Sequence, residues 1–235
     1  MMEVTVLMPC LNEAESLAFC IAEAKSSIER MGLQAEILIA DNGSSDASRE
    51  IALKNGARVV TVSPRGYGAA LLGGIRAADG RFIIMADADG SYDLSDLASF
   101  LEPLRMGSSL VVGNRFLGGI EPGAMSLSHR LGVRMLSALA RWRFHTNVED
   151  FHCGLRAFDR DKALALGLGC PGMEFATEII ARFAQSGAKI TQIPTPLRRD
   201  RREGRSHLRT VRDGFRHLFF ILFDRGIFNH RSDCL

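Results

Sequence analysis

The sequence has little of what marks a secreted, membrane-spanning or nucleic-acid-binding protein. Its five cysteines include no Cys-x-x-Cys pair and leave one unpaired, so we expect a reduced, cytosolic chain without a disulfide framework. No apolar run reaches the roughly 18 residues that a membrane-spanning helix needs, and residues 1–13 lack the basic start of a signal peptide. The formal net charge is only +2, so no global positive field indicates a nucleic acid as partner.

Apolar runs alternate with helical patterns over residues 1–113. Five runs are short, rich in Val and Ile and apolar on both faces, as buried parallel strands are, and they cover residues 3–9, 35–40, 58–62, 81–86 and 109–113. The stretches between them predict helices, two of which should start near Ser44 and just after Asp93. Strands that alternate with helices of this length predict an α/β fold with a doubly wound, mostly parallel sheet.

The pattern is weaker beyond residue 120. Helices are predicted over residues 128–143 and 174–185, and strands over residues 155–158 and 188–193. A final amphipathic helix is predicted over residues 208–223, just after a basic cluster at residues 198–205. The apolar face of this helix either packs on the core or lies at a membrane surface, and both interpretations stay open.

Polar and glycine residues follow each of the five predicted strands of the first half. They lie at residues 9–13, 41–46, 64–68, 87–89 and 113–115. Because the carboxyl ends of parallel strands meet at one edge of a sheet, we expect these segments to form a single site there.

Three carboxylates lie within the short segment Asp87-Ala88-Asp89-Gly90-Ser91-Tyr92-Asp93. Like charges so close repel each other unless a positive partner neutralises them. Asp87 and Asp89 share one side of an extended segment and offer hard oxygen ligands, which suit Mg²⁺ or Mn²⁺ that also binds a substrate diphosphate. Ser91 is a candidate third ligand through its hydroxyl, whereas Asp93 is predicted to cap the next helix.

The turn Arg65-Gly66-Tyr67-Gly68 follows a predicted strand and opens a predicted helix. A dinucleotide-binding fingerprint has this placement, but here Leu71 occupies the third glycine position and the turn follows the third strand instead of the first. Two other interpretations stay open. One is a tight turn that needs glycine, and the other is a phosphate site formed by Arg65 and backbone amides at a helix N-terminus.

Six segments form an ordered series of short motifs between residue 5 and about residue 210. They are Pro9-Cys10-Leu11-Asn12-Glu13, Asp41-Asn42-Gly43-Ser44-Ser45-Asp46, Arg65-Gly66-Tyr67-Gly68, Asp87-Ala88-Asp89, Gly113-Asn114-Arg115-Phe116 and Asp150-Phe151-His152-Cys153-Gly154-Leu155-Arg156-Ala157-Phe158. In this order they resemble family 2 glycosyltransferases of the GT-A fold, in particular the branch of dolichol-phosphate mannosyltransferases and polyprenyl-phosphate sugar transferases. Asn42 stands where that family often has a second acid, and Gly90-Ser91 departs from the close mannosyltransferases.

The resemblance implies a GT-A fold and the inverting transfer of a hexose from a nucleoside diphosphate sugar. Asp41 would hold the base, and Asp87 and Asp89 would hold the diphosphate through Mg²⁺ or Mn²⁺, with Asp89 counted as catalytic. The residues implied for the nucleotide-sugar site are Pro9, Leu11, Asn12, Glu13, Asp41, Asn42, Arg65, Gly66, Asp87, Ala88 and Asp89. The identities of the base and of the sugar stay open.

The resemblance also implies a polyprenyl phosphate, such as dolichyl or undecaprenyl phosphate, as acceptor. Arginine binds phosphate oxygens bidentately, and the candidates for this contact are Arg115, Arg130, Arg134, Arg202 and Arg205. A phosphate acceptor is already an anion, whereas a hydroxyl acceptor would need a general base. Asp150 is the candidate for that base, or else for orienting the acceptor loop, and Asp150 and Arg115 join Asp89 as predicted catalytic residues.

Two other functions stay open. One is a family 2 glycosyltransferase that acts on a hydroxyl of a glycan or glycolipid. The other is a nucleotide-sugar-binding module without turnover, against which the retained Asp87 and Asp89 argue. Further candidate contacts are Glu174 and Glu178 with the sugar, and His152 and Cys153 with a metal.

We expect residues 1–207 to form the catalytic domain, with residues 1–115 as the nucleotide-sugar half and residues 116–207 as the acceptor half. An amphipathic helix and a tail would follow at residues 208–235. The predicted location is cytoplasmic and peripheral to the inner face of a membrane. The expected partners are the sugar donor and the lipid acceptor, with homo-oligomers possible and no nucleic acid.

Overall fold

The structure of the protein is a computed structural model, and it describes residues 2–202 and 210–224. Within these residues one mixed sheet has the strand order β3-β2-β1-β4-β6-β5-β7. The strands are β1 (Val4–Cys10), β2 (Ala35–Asp41), β3 (Arg58–Thr61), β4 (Phe82–Met85), β5 (Leu110–Asn114), β6 (Arg156–Asp159) and β7 (Ile190–Pro194). β6 runs antiparallel to β4 and β5, and the other neighbouring strands are parallel. The predicted α/β fold with a mostly parallel sheet is confirmed.

Helices cover both faces of the sheet. They are α1 (Leu17–Met31), α2 (Ser48–Lys54), α3 (Tyr67–Ala77), α4 (Ala98–Arg105), α5 (Arg115–Gly118), α6 (Leu127–Phe144), α7 (Arg160–Ala165), α8 (Phe175–Gln185) and α9 (Thr210–Phe223). The predicted later helices and strands all form. The short helices α5 and α7 were not predicted, because one or two turns leave little periodicity in a sequence.

Side chains of the central strand β1 alternate between two apolar layers. Val6 and Met8 pack with Leu17 of α1 on one face, and Leu7 packs with Leu71 of α3 on the other. All five side chains are fully buried. β1 is therefore held in both apolar layers of the core.

Two helices begin later than predicted. α2 begins at Ser48 because Ser44 and Ser45 contact the loop after β1: the Asn12 amide donates to Ser44 Oγ at 3.0 Å, and the Ser45 amide donates to Asn12 Oδ1 at 2.8 Å. These bonds replace the first turn that the sequence predicted.

The prediction that Asp93 caps α4 is wrong. α4 begins at Ala98, and the Asp93 carboxylate accepts a hydrogen bond from the Ser95 amide at 2.9 Å instead. Arg198 Nη2 lies 2.6 Å from the other Asp93 oxygen. Asp93 thus fixes the turn before α4 and pairs with a residue far along the chain.

Among the described helices, none is long and apolar enough to cross a membrane. The predicted boundary between residues 207 and 208 falls outside the described residues, so the division into domains stays a prediction. Strands β6 and β7 from the predicted acceptor half lie in the same sheet as the strands of the predicted nucleotide-sugar half.

Candidate functional site

Hydrogen bonds tie together the loops that follow β1 and β2. Besides the bonds between Asn12 and the serines, the Glu13 amide donates to Ser48 Oγ at 2.9 Å. Asn12 has a φ of 57°, in the left-handed region that asparagine tolerates better than most residues. The structure therefore brings together the residues of the first two loops that were predicted to bind the nucleotide sugar.

Asp41 ends β2 and is fully buried. Its carboxylate accepts hydrogen bonds from the Gly43 and Ser44 amides, both at 3.2 Å, and from Arg49 Nε at 2.6 Å. Burial raises the pKa of Asp41, but the bonds from Ser44 and Arg49 outweigh burial and hold the pKa below its ordinary value. An ionised carboxylate therefore lies at this edge of the sheet, where its own loop and Arg49 already donate to both oxygens.

Asn42 holds the turn that contains Gly66. Its Nδ2 donates to the Val62 and Pro64 carbonyls at 3.0 and 2.8 Å, and its Oδ1 accepts from the Gly66 amide at 2.7 Å. Gly66 has a φ of 140°, and a Cβ there would lie 2.1 Å from the Pro171 carbonyl oxygen. The turn therefore requires glycine, as its tight-turn interpretation expected.

The other residues predicted to bind the nucleotide sugar lie around these loops. Pro9, near the end of β1, and Leu11, just after that strand, are half-buried, and Arg65 is exposed. Ala88 is buried, and its carbonyl accepts a hydrogen bond of 2.6 Å from Ser16 Oγ.

Asp87 follows β4 and is held by two neighbours. The Tyr67 hydroxyl donates to Asp87 Oδ1 at 2.9 Å. Gly154 packs against the other oxygen, since a Cβ at that position would lie 2.1 Å from Asp87 Oδ2. Burial, followed by the charge of Asp89, raises the pKa of Asp87 above its ordinary value.

Arg202 is the positive partner of Asp89 in the structure, as Arg198 is of Asp93. Its Nη2 lies 3.0 Å from Asp89 Oδ2, and its Nη1 lies 3.2 Å from Glu13 Oε1. The other Asp89 oxygen accepts from the Ser91 amide at 2.9 Å. Burial raises the pKa of Glu13 to about 7, although the charge of Arg202 opposes that rise. Arg202 therefore lies between Asp89 and Glu13 and pairs with both carboxylates.

The oxygen atoms after β4 fit a divalent ion that shares its coordination with a substrate. In residues 2–202 and 210–224, no three His, Cys, Asp or Glu side chains are placed to hold a metal alone. Mg²⁺ usually needs only one or two carboxylates, together with water and substrate phosphates. Asp87 and Asp89 supply such a pair, and the buried Ser91 lies beside them. The donor set therefore suits an ion that arrives with a diphosphate.

Arg115 and Asp150 form a buried ion pair beside this group. Arg115 Nε and Nη2 each lie 2.7 Å from a different Asp150 oxygen, and the Arg115 amide donates to Asp150 Oδ2 at 3.2 Å. Arg115 is 5% exposed and Asp150 is 0% exposed. Burial raises the pKa of Asp150, but the charge and hydrogen bonds of Arg115 lower it below its ordinary value. Such a carboxylate is a weak base, so this geometry favours the orienting role over the general base.

Arg156 places a second buried positive charge behind Asp87. Its guanidinium donates to the carbonyls of Phe151, Cys153 and Ala176 at 2.6–2.7 Å. The side chain is fully buried, and its charge lowers the pKa of Asp87. The last sequence motif therefore supplies a fixed positive field for the acidic segment.

The remaining predicted acceptor residues lie on α6 or beyond the described chain. The Arg134 guanidinium lies 4.7 Å from the Phe116 ring centre, in cation–π geometry. Arg130 is half-buried one turn earlier, and Arg205 lies outside the described residues. Of the five predicted arginines, Arg115 and Arg202 are the two that the structure places against acidic residues of the site.

Other candidates have structural partners. Arg216 of α9 donates two hydrogen bonds to Glu174 at 2.5 and 2.7 Å, and Glu178 accepts from the amides of Gly169 and Cys170. Both carboxylates are thus committed to structural bonds, which argues against contact with a sugar.

The proposed metal contact of His152 and Cys153 finds no support in the geometry. Cys153 Sγ lies 3.7 Å from the Leu155 carbonyl oxygen, and the His152 ring meets the edge of His217 with centroids 4.4 Å apart. Neither belongs to a metal-binding group of three among the residues described.

The chain matches the family model described as Glycosyl transferase family 2 over residues 5–166. The chain belongs to this family. The family 2 chain is 37% identical, over 221 residues, to the low-salt glycan biosynthesis hexosyltransferase Agl6 of Haloferax volcanii, and the match covers 93% of this chain and 52% of Agl6. It is 29% identical over 196 residues to the dolichyl-phosphate hexose transferase of the same organism, covering 83% of each. The family 2 chain therefore spans about half the length of Agl6.

The fold of this family 2 chain is similar to that of glucosyl-3-phosphoglycerate synthase from Mycobacterium tuberculosis. The TM-score is 0.71 at 22% identity, over 94% of this chain and 79% of the other. That synthase has been crystallised with Mn²⁺, UDP-glucose and phosphoglyceric acid. The likeness confirms the GT-A fold that the motifs implied.

Sequence reasoning missed the residues that support the acidic segment. Tyr67 and Arg156 both lie inside recognised motifs, so their positions were the available signal. The sequence did not show which group each side chain contacts, because a tyrosine at the start of a helix and an arginine in a strand can each face many partners.

Proposed function

We propose that this chain is an inverting, metal-dependent glycosyltransferase that moves a hexose from a nucleoside diphosphate sugar to a polyprenyl phosphate. One observation carries the proposal: the loops of β1, β2 and β4 place Glu13, Asp41, Asp87 and Asp89 at one sheet edge. The buried ion pair of Arg115 and Asp150 lies nearby, and the charge of Arg115 lowers the pKa of Asp87. Family membership supports the activity, and the names of the two relatives support the hexose.

On the donor side, each residue has a distinct task. Asp41 would bind the base, and the turn held by Asn42 would shape the pocket wall. Asp87 and Asp89 would hold Mg²⁺ or Mn²⁺, which when bound neutralises the diphosphate leaving group. The Mn²⁺ and UDP-glucose bound by the structurally similar synthase support this assignment. The Tyr67 hydroxyl keeps the Asp87 carboxylate in position, and the charge of Arg156 lowers the pKa of that carboxyl.

On the acceptor side, the buried ion pair favours a phosphate. A phosphate attacks the anomeric carbon without losing a proton, so the site needs positioning and positive charge more than a base. Arg115 supplies the charge, and Asp150 orients it. A hydroxyl acceptor would need a base, a role for which the lowered pKa of Asp150 is unsuited. The dolichyl-phosphate relative supports the same choice.

Helices α6 and α9 carry the proposed membrane contact. α9 packs one face inward, with Ile221 buried, while Phe215 and Phe219 are each 66% exposed. α6 exposes Leu131 and Met135 one turn apart, beside Arg130 and Arg134. The two helices pack together through Phe144 and Phe220, whose ring centroids are 6.1 Å apart. Exposed apolar residues flanked by arginine suit an anionic lipid surface at the cytoplasmic face.

The donor is identified by thermal unfolding of the protein with a panel of GDP- and UDP-sugars, with and without Mn²⁺. We expect one donor to raise the Tm in the presence of Mn²⁺, because a ligand that binds the native state stabilises it. Asp89→Asn should lose that Mn²⁺-dependent rise. Stabilisation without any sugar transfer to polyprenyl phosphate would overturn the proposal and leave a hydroxyl acceptor or a binding module without turnover.

A further inference from the structure

Residues 197–202 run across the acidic segment after β4, and we refer to them as the strap. The Arg198 amide donates to the Ser91 carbonyl at 2.9 Å, and the Arg201 amide donates to the Asp89 carbonyl at 2.8 Å. The strap is therefore hydrogen-bonded to the backbone of the residues that would bind the metal.

Arginine side chains fasten the strap at three points. Arg198 pairs with Glu23 and Asp93 at 2.9 and 2.6 Å. The Arg201 guanidinium lies 3.6 Å from the centre of the Phe19 ring. Arg202 is the third point, and it is the one that contacts Asp89.

The Arg202 guanidinium bridges Asp89 and Glu13 from inside the site. Its side chain is 13% exposed, and Asp200 of the strap itself accepts a further bond from Nη2 at 3.0 Å. Nε is buried and has no hydrogen-bond partner among the described residues. A buried donor without a partner is costly, so the contact depends on the charges of the carboxylates.

We propose that Arg202 is an internal cation that takes the place of the divalent ion at Asp89, and that metal binding displaces it and loosens the strap. The inference rests on the proposed metal-dependent function. A divalent ion at Asp89 would lie close to the Arg202 guanidinium, which is 3.0 Å from Asp89 Oδ2, and the two positive charges repel each other. Metal binding must therefore compete with Arg202 for Asp89. By linkage, the affinity for metal is lower while Arg202 holds the strap on Asp89.

Displacement also orders the proposed reaction. Arg202 is one of the arginines expected to bind the acceptor phosphate, and it can do so only after leaving Asp89. Loading of the metal and diphosphate at Asp87 and Asp89 would release this arginine for the second substrate. The strap then couples occupation of the donor site to readiness of the acceptor site.

The test measures Mn²⁺ binding to the full chain by electron paramagnetic resonance of the free ion. Arg202→Gln should bind Mn²⁺ about fivefold more tightly than the unchanged chain, at the lower end of typical couplings between sites. Arg199→Gln is the matched control, because Arg199 lies on the strap but contacts Pro122 and Glu121 instead of the acidic segment. It removes the same charge and should leave the affinity almost unchanged.

Limited trypsin cleavage supplies a second readout. Mn²⁺ should speed cleavage after Arg198 and Arg199 in the unchanged chain, and Arg202→Gln should show the fast cleavage without metal. Mn²⁺ binding that Asp89→Asn abolishes but Arg202→Gln leaves unchanged or weakens would overturn the inference and leave the metal-dependent function standing. Absence of Mn²⁺ binding in every form, Arg202→Gln included, would overturn both.

Discussion

The Tyr67 hydroxyl donates a hydrogen bond of 2.9 Å to Asp87, so the turn after β3 orients a carboxylate at the end of β4. Residues that orient a metal ligand typically change metal affinity by about 10–100-fold when they are replaced. We predict that Tyr67→Phe weakens Mn²⁺ binding by about tenfold with little change in Tm, since the ring remains to pack. The same Mn²⁺ resonance titration measures it, and unchanged affinity would show that Tyr67 only fills space.

The buried pair of Arg115 and Asp150 predicts a non-additive effect on stability. Arg115→Met alone leaves Asp150 as an uncompensated buried charge and should lower the free energy of unfolding by about 3–5 kcal/mol. Arg115→Met combined with Asp150→Leu should recover a large part of that loss. Urea unfolding of the single variants and the double variant measures the coupling. Strictly additive losses would contradict the pairing.

His217 predicts a dependence of stability on pH. Its Nδ1 lies 2.8 Å from Thr177 Oγ1, and burial lowers the pKa of His217 to about 4. The charge of Glu174 opposes that shift, whereas the charges of Arg156 and Arg216 add to it, and the His152 ring lies edge-on to His217. The unfolded chain therefore takes up a proton on this histidine below about pH 6.5, whereas the folded chain does so only near pH 4.

The stabilisation from His217 is thus complete above about pH 6.5 and is lost as the pH falls towards 4. We predict that the free energy of unfolding of the unchanged chain falls over this range by about 2–3 kcal/mol more than that of His217→Gln. Urea unfolding at several pH values between 7 and about 4.5 measures the difference. Equal slopes for the two proteins would contradict the burial of a neutral His217.

The exposed apolar residues of α6 and α9 predict binding to anionic lipid. Leu131→Gln combined with Phe219→Gln should weaken sedimentation with phosphatidylglycerol vesicles by about tenfold, because two apolar side chains no longer enter the interface. Leu53→Gln is the matched control, since Leu53 is a similarly exposed leucine, 62% accessible, on α2. Equal binding of the unchanged chain and of both variants would show that α6 and α9 do not form the membrane contact.

The strands of the first half were predictable because short runs of Val and Ile, bounded by glycine and polar residues, favour a buried strand over a helix. The positions of Asp41, Asp87 and Asp89 at one sheet edge followed from those strands. The antiparallel direction of β6 did not follow, since a buried strand has the same apolar pattern in either direction.

Contacts made over long distances in sequence were the least predictable part of the site. Arg202 meets Asp89 across 113 residues, and Arg115 meets Asp150 across 35. The sequence predicts both arginines as phosphate ligands, because the residue type indicates an anion without saying which anion lies nearest in the fold. Asp93 is a similar case: its pairing with Arg198 had no local signal, whereas a helix cap is a local pattern.

Undecaprenyl phosphate and undecaprenol differ only in the phosphate group that we propose as the acceptor, so a comparison of the two lipids tests that proposal. The donor found by thermal unfolding, labelled in its sugar, is incubated with Mn²⁺ and either undecaprenyl phosphate or undecaprenol. We predict label in the lipid extract with the phosphate, none with the alcohol, and loss of transfer in Asp89→Asn. Transfer to the alcohol at an equal rate, or to neither lipid, would show that the acceptor is not a polyprenyl phosphate.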